Sequence, residues 1–249
     1  MTITSELQNC PVAFFIFTKN KLTMKSIYQK NYTERGYLMN YRKFDHGPYL
    51  KKQIFQFYIE MLDIQPKIWR RIQVPGHYNF WELHVAIQDA MGWLDYHLHE
   101  FNIRGKGKQK ETLIGIPDFE GSGELPEVFP GWEIPVFNYF NDLGVEATYL
   151  YDYGDFWMHR VKLEGYMHKE KGVKYPICVG GERACPPEDC GAVPGYYNVL
   201  ETLADPKHPD HHDMKIWAGE DYDPESFSPE LVRFDNPYKR WKNAFLKGQ

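Results

Sequence analysis

The sequence predicts an α+β fold: a mixed, largely antiparallel sheet with a β-grasp-like hairpin-helix-strand opening and helices toward the C-terminus. Three patterns carry that expectation. Apolar residues alternate with period two from residue 53 to 61 and again from 68 to 74. A capped helical pattern follows at 79–92, and two more alternating runs meet at Gly154-Asp155 before the chain turns helical.

In the first run Phe55, Phe57, Ile59 and Met61 share a parity, as a half-buried strand requires. Pro66 marks the turn; Ile68, Ile72 and Val74 share a face of the second strand, with Trp69 and Arg71 on the other, until Pro75-Gly76 ends it. Asn79 with Glu82 three residues on is a capping-box pattern, Leu83, Ile87 and Met91 fall on one helical face, and Gly92 supplies the stop. Residues 97–103 then read as a strand on which His97, His99, Phe101 and Ile103 share one side. Residues 117–135, rich in Gly, Pro and acidic residues, read as a long loop. Trp157, His159, Val161 and Leu163 share a face of the second later strand. A Gly/Cys/Pro-rich loop runs to Pro194, with helices expected near 196–203 and 209–218 and a partly helical tail over 229–246.

Residues 1–50 are weakly patterned and read as an N-terminal extension, or as the product of an upstream start with Met39 the natural beginning; residues 51–249 read as a single domain. With 43% hydrophobic and 16% aromatic residues in 249, the chain can bury a core without disulfides. Its net charge of −5 gives the whole molecule no reason to seek a nucleic-acid backbone, so such binding would have to be local. The local basic turn is Arg104, Lys106, Lys108 and Lys110; a second basic group, Lys239, Arg240 and Lys242, lies near the C-terminus. The early apolar run, 12–17, is far too short to span a membrane, and a cytoplasmic location is expected.

Strand parity points to a site. His99 and His159 both turn toward the apolar side, where an unsatisfied imidazole costs on the order of 1 to 3 kcal/mol. Cys178, Cys185 and Cys190 lie in a loop that can fold back on those rings, so His99, His159, Cys178, Cys185 and Cys190 form a candidate tetrahedral S/N zinc site. His97, Glu100, Asp155 and Arg71 are candidate supports. The alternatives are packed inert thiols, a Cys185–Cys190 disulfide or redox chemistry for the cysteines. For the histidines they are satisfied core imidazoles held by Asp155 or Glu100, or a general base at His99 or His159. No Gly-x-Ser-x-Gly elbow, Walker A loop, dinucleotide fingerprint or His-Glu-x-x-His motif is present.

Four segments carry a resemblance: Asp63-Ile64-Gln65-Pro66-Lys67-Ile68-Trp69-Arg70-Arg71; Gly92-Trp93 with His97-Leu98-His99-Glu100-Phe101; Tyr151-Asp152-Tyr153-Gly154-Asp155-Phe156-Trp157-Met158-His159; and Glu182-Arg183-Ala184-Cys185-Pro186-Pro187-Glu188-Asp189-Cys190-Gly191. In this order the chain resembles the plasmid pRiA4b ORF-3-like family, also described as insertion-sequence passenger proteins, over about residues 52–235. The resemblance implies a mobile-element association and no established activity. A resolvase label sometimes used there implies a serine nucleophile and a helix-turn-helix, neither of which is found. The chain departs from the family pattern at Ala192, where a second glycine is usual, and in its first 50 residues. The expected function is a binding or accessory protein with a buried His/Cys/Asp cluster able to hold zinc. The alternatives are a metal-assisted hydrolase or nuclease using the same cluster, and a nucleic-acid-binding module using the basic turn.

Overall fold

The computed structural model describes residues 47–104, 111–117 and 127–246. Most of the N-terminal extension, with Cys10 and Met39, and the basic-turn residues Lys106, Lys108 and Lys110 lie outside them. Among the described residues the fold is α+β. One eight-stranded sheet has the order β5-β4-β3-β6-β7-β1-β2-β8, and only β4 and β5 pair in parallel. The strands are β1 (Gln53–Met61), β2 (Trp69–Pro75), β3 (His99–Arg104), β4 (Glu111–Gly115), β5 (Val128–Pro130), β6 (Glu146–Tyr151), β7 (Trp157–His168) and β8 (Ile177–Glu182). The helices are α1 (Phe80–Met91), α2 (Ala192–Ala204), α3 (His211–Ala218) and α4 (Pro237–Phe245), three of them C-terminal to the sheet, and a single helical turn precedes β1. No described helix is long and apolar enough to cross a membrane.

The opening hairpin forms in the expected register, with Phe57 opposite Ile72 on one side and Leu163 on the other, and its inward row is buried almost completely. Hairpin, helix and strand succeed one another, but β3 joins the sheet beside β6, with β6 and β7 between it and β1.

Helix α1 starts where the side chain of Asn79 accepts the Glu82 amide at 2.8 Å and the Glu82 carboxylate accepts the Asn79 amide at 2.8 Å. Losing that cap would cost about 1 kcal/mol. Gly92, at φ 95°, ends it in the left-handed region that favours glycine. The helix is buried on both sides, because Phe80, Leu83 and Ile87 face the sheet while Trp81 and Val85 pack under Trp132, Trp241 and Phe245. Helix α4 thus forms an outer cover, which is why α1 carries apolar residues around most of its circumference.

Several boundaries differ from the periodicity. The strand expected to begin at His97 begins at His99, because Asp95 is left-handed at φ 61° and the chain is still turning at His97. His97 is therefore not inward-facing with His99. The later strands stop at Tyr151 and resume at Trp157, because Asp152 and Phe156 are left-handed too. Part of the supposed cysteine loop is the edge strand β8, where Cys178 pairs with Ile72. Its glycines hide it from a sequence reading, yet a Cβ on Gly181 would lie 2.4 Å from the Phe227 ring and 2.8 Å from the Trp69 carbonyl. Within 127–135, β5 and a 3-10 turn that buries Trp132 replace the expected irregular loop; residues 118–126 lie outside the described ones. The tail is helical only from Pro237, after a 3-10 turn at Pro229–Leu231.

Candidate functional site

Three connections meet at one end of the sheet's strands: the turn between α1 and β3, the β6–β7 hairpin and the segment from β8 into α2. Each is tied to another. The Trp93 indole donates to the Pro186 carbonyl at 2.9 Å, and the Leu94 amide to Glu188 Oε1 at 2.9 Å. The Tyr151 hydroxyl donates to the same Glu188 oxygen at 3.1 Å while accepting the Tyr96 amide at 3.1 Å, and the Gly191 amide donates to Asp155 at 3.1 Å. The backbone here is strained as well. Of seven described non-glycine residues with positive φ, six lie in these connections: Asp95, Asp152, Phe156, Arg183, Asp189 and Ala192. Asp tolerates that conformation, but Phe, Arg and Ala adopt it only where the surroundings impose it.

At the open end of this junction His97, about a quarter exposed, is ringed by carboxylates. Its Nε2 lies 3.2 Å from Asp189 Oδ1 and 3.8 Å from Glu188 Oε2, and its Nδ1 lies 3.6 Å from Asp152 Oδ1. Despite that proximity Nε2 makes no hydrogen bond. One ligand atom each from His97, Asp152 and Asp189 lie within 4.8 Å of one another. Ligands about 2.0–2.2 Å from a shared ion sit roughly 3–4 Å apart, a range that the 3.2 Å between His97 Nε2 and Asp189 falls in. Burial raises the Glu188 carboxyl above its ordinary value, opposed by the Leu94 amide and the Tyr151 hydroxyl. The Gly154 amide fixes Asp152 by donating to its Oδ1 at 2.7 Å.

Behind this cluster lies a sealed one. Gln88 donates to the Tyr149 oxygen at 2.9 Å, which leaves the Tyr149 proton for His84 Nδ1 at 2.8 Å. The His84 Nε2 proton then goes to Asp95 at 2.9 Å. Arg240 stands 3.7 Å beyond, on the other Asp95 oxygen, and is itself held by Asp89 at 2.6 Å. His99 stacks face to face on His84, with centroids 3.4 Å apart and planes 8° from parallel, and neither of its ring nitrogens is hydrogen-bonded. Burial drives both imidazoles well below their ordinary pKa, helped at His84 by Arg240 and at His99 by His84. Ligand atoms of His84, Asp95 and His99 also come within 4.8 Å of one another. Parallel rings aim their lone pairs side by side rather than at one point, however, and a guanidinium is already present. The arrangement is that of a neutral stack.

The remaining expected site residues are dispersed. His159 is fully buried in β7, its Nδ1 3.3 Å from the Tyr149 carbonyl and its ring edge-on to Trp93; burial lowers its pKa to about 4. It shares Tyr149 with His99, the ring centroids lying 5.2 and 6.1 Å from that phenol. The Cys185 sulfur rests 3.3 Å from the Met91 sulfur and 4.0 Å from that of Met61, and burial pushes its thiol up to about 12. Cys178 donates to the Gly180 carbonyl at 3.4 Å. Cys190, also pushed up to about 12 by burial, borders a cleft beside α2. All three are free thiols, and none joins either histidine-carboxylate group. Glu100 accepts from the Tyr153 hydroxyl at 2.8 Å, and Asp155 ties the two connections as above. Arg71 pairs with Glu164 at 2.6 Å beside Trp69, on the far side of β1 from β6. Arg104 of the basic turn pairs with Glu111 at 2.8 Å.

Reading the residues alone misses His84, Asp95, Asp152, Glu188 and Asp189. His84 lies in a helix defined by its apolar spacing, which gives a lone histidine no signal. Asp152, Glu188 and Asp189 stand inside the four family-like segments, within three residues of Asp155 or Cys190.

The chain is 36% identical over 163 residues to the uncharacterized protein y4hQ of Sinorhizobium fredii (strain NBRC 101917 / NGR234), covering 64% of this chain and 78% of that one. It is similar, with a TM-score of 0.65 and 40% identity, to the crystal structure of the protein of unknown function MM3350 from Methanosarcina mazei Go1, covering 74% of this chain and 99% of that chain. The model of the plasmid pRiA4b ORF-3-like protein family matches residues 53–231, which include every residue of the open cluster. The chain belongs to the plasmid pRiA4b ORF-3-like protein family.

Proposed function

We propose that this is a metal-binding protein of its family, holding a divalent first-row ion, zinc included, at His97, Asp152 and Asp189 with Glu188 alongside, and serving as a binding or accessory protein. The observation that carries the reading is His97 Nε2, crowded by two carboxylates yet hydrogen-bonded to neither. One imidazole and several carboxylates suit zinc, manganese or iron(II). The ligand set expected from the sequence, His99 and His159 with the three cysteines, is the weaker reading. Its sulfurs rest on thioethers and backbone, and its imidazoles sit among aromatic rings.

The test is elemental analysis of untagged protein, followed by calorimetric titration of the metal-free chain with zinc and manganese. One equivalent per chain is expected, abolished in His97→Ala and Asp189→Asn and retained in Cys185→Ala. Failure of the wild-type chain to bind either ion, or retention of binding in both cluster variants, would overturn the proposal. Metal-assisted hydrolysis is the second reading, favoured by one observation: Asp189 also borders an open surface groove beside α2, so a bound ion would be reachable by a substrate. No observation among the described residues favours the nucleic-acid reading.

A further inference from the structure

The core holds a group of soft donors that neither histidine-carboxylate cluster includes. The Cys185 sulfur stands 3.3 Å from the Met91 sulfur and 4.0 Å from that of Met61, so a thiol and two thioethers meet where β1, the end of α1 and the segment after β8 converge. Packing alone can bring three sulfurs together. His159, fully buried on β7, adds what packing does not require, an Nε2 without a hydrogen bond. It is the cross-strand partner of Met61 in the β1–β7 pairing, and both lie in the buried inward row, so the imidazole and the thioether stand side by side. Its Nδ1, 3.3 Å from the Tyr149 carbonyl, carries the proton, since a carbonyl can only accept. The Nε2 lone pair is therefore bare. An imidazole fixed through Nδ1–H on a backbone carbonyl, with its other nitrogen free, is the arrangement that metal-ligating histidines adopt. Trp93 draws the pieces together: two residues after Met91, it lies edge-on to His159 with centroids 5.4 Å apart and donates to the carbonyl of Pro186, the neighbour of Cys185.

We propose that Cys185, Met61, Met91 and His159 form a binding site for copper(I). Thiolate and thioether ligands select that soft ion, and imidazole suits copper as well. Charge narrows the choice further. Arg70, 1% exposed, makes its hydrogen bonds to the carbonyls of Trp69, Ala90 and Glu182, and its charge acts on Cys185. A monovalent ion on one thiolate is neutral beside that buried cation, whereas zinc would add a net positive charge to the interior. Binding forms a copper–sulfur bond and releases the thiol proton, with no change of oxidation state. Sulfurs about 2.3 Å from a shared ion stand roughly 4 Å apart, so Met61 is already at a suitable distance from Cys185, and Met91 needs a small outward swing that its three rotatable bonds allow. Cys185, at 9% the least buried of the four, gives the ion its entry.

The test is anaerobic competition for copper(I) between the reduced full chain and the chelator bicinchoninate, followed by the colour of the chelate. Cys10, Cys178 and Cys190 can hold copper too, so the parent is expected to withdraw one equivalent more than Cys185→Ser does. Met61→Leu and Met91→Leu conserve volume and are expected to fold like the parent while weakening that equivalent by at least about tenfold each. X-ray absorption at the copper edge is expected to show sulfur ligands with one nitrogen, the nitrogen lost in His159→Phe. His97→Ala is expected to leave the copper competition unchanged, and Cys185→Ser the zinc titration, so the two sites stand or fall separately. Equal withdrawal by the parent and Cys185→Ser, including none by either, would overturn the inference. So would an affinity unchanged in both methionine variants, or a copper edge identical in the parent and His159→Phe.

Discussion

His97 and His99 stand two residues apart in one segment and meet opposite physics. His99, in the first position of β3, is sealed between the His84 ring and Tyr149 with no hydrogen bond to its nitrogens. His97, still in the turn forced by left-handed Asp95, is partly exposed and faces Asp152, Glu188 and Asp189. The sealed cluster is neutral at its rings and closed by Arg240, so its contribution belongs to stability. The open cluster is rich in carboxylates and leaves His97 Nε2 without a hydrogen bond, and on that the proposed metal site rests. The same residue types do different work according to whether water reaches them and whether lone pairs converge.

The largest expected effect breaks the sealed side. His84→Ala leaves the Tyr149 hydroxyl proton without its acceptor and the buried Asp95 carboxylate with only the more distant Arg240, which should cost about 3–5 kcal/mol of unfolding free energy. His97→Ala, changing a partly exposed ring without a hydrogen bond at Nε2, should stay within about 0.5 kcal/mol of the parent. Urea denaturation of both variants measures the contrast. Equal losses would mean that His97 is structural and that the two regions are one.

A pH titration of stability tests the same division. His84, His99 and His159 have folded-state pKa values below that of the unfolded imidazole, burial being the leading cause. Below about pH 6.5 the unfolded chain takes up protons that the folded chain refuses, so their stabilisation is complete above that pH and is lost as pH falls. His159, with a folded value of about 4, loses about 3 kcal/mol between 6.5 and 4. Asp95 runs the other way: burial raises it to about 6, so its neutralisation relieves the fold on acidification. Asp89, Glu100 and Glu188, also raised by burial, act in the same sense as Asp95, but the three fully buried imidazoles should still leave a net decline from pH 6.5 to 4, read as a falling melting temperature. His159→Phe should flatten part of the decline. A pH-independent melting temperature over that window would mean that the rings are not sealed.

How much of this was legible in the sequence follows from what each signal measures. Period-two alternation located β1, β2, β6 and β7 because each has one buried row, and the Asn79 and Glu82 pair located α1 because a cap is local chemistry. Strand β8 was hidden because Gly180 and Gly181 are selected by the approach of Trp69 and Phe227, residues distant in sequence. Parity correctly placed His99 and His159 in the interior but could not tell that the chain turns left-handed at Asp95, and so put His97 there too. Nor could it report that Cys185 rests on Met61 and Met91, since that contact depends on how the β8–α2 segment folds across the sheet.

The smallest expected effect sharpens the comparison from the open side, where binding geometry is held by strained backbone. Ala192 begins α2 at φ 62°, directly after Gly191 at φ 90°. A Cβ in this region crowds the following carbonyl, costing on the order of 1 kcal/mol, while glycine there is unstrained but gains entropy when unfolded. The neighbouring backbone cannot relax to help, because Cys190 and Gly195 are in such close approach that a Cβ on Gly195 would lie 1.9 Å from the Cys190 carbonyl oxygen. Ala192→Gly should therefore stabilise the chain by about 0.5–1 kcal/mol, raising the melting temperature by roughly 1–4 °C. Because the same segment carries Glu188 and Asp189, metal affinity should hold or rise in step. A lower melting temperature would show that the left-handed turn into α2 is not the conformation kept in solution, and the carboxylates it positions would lose their claim to a fixed site.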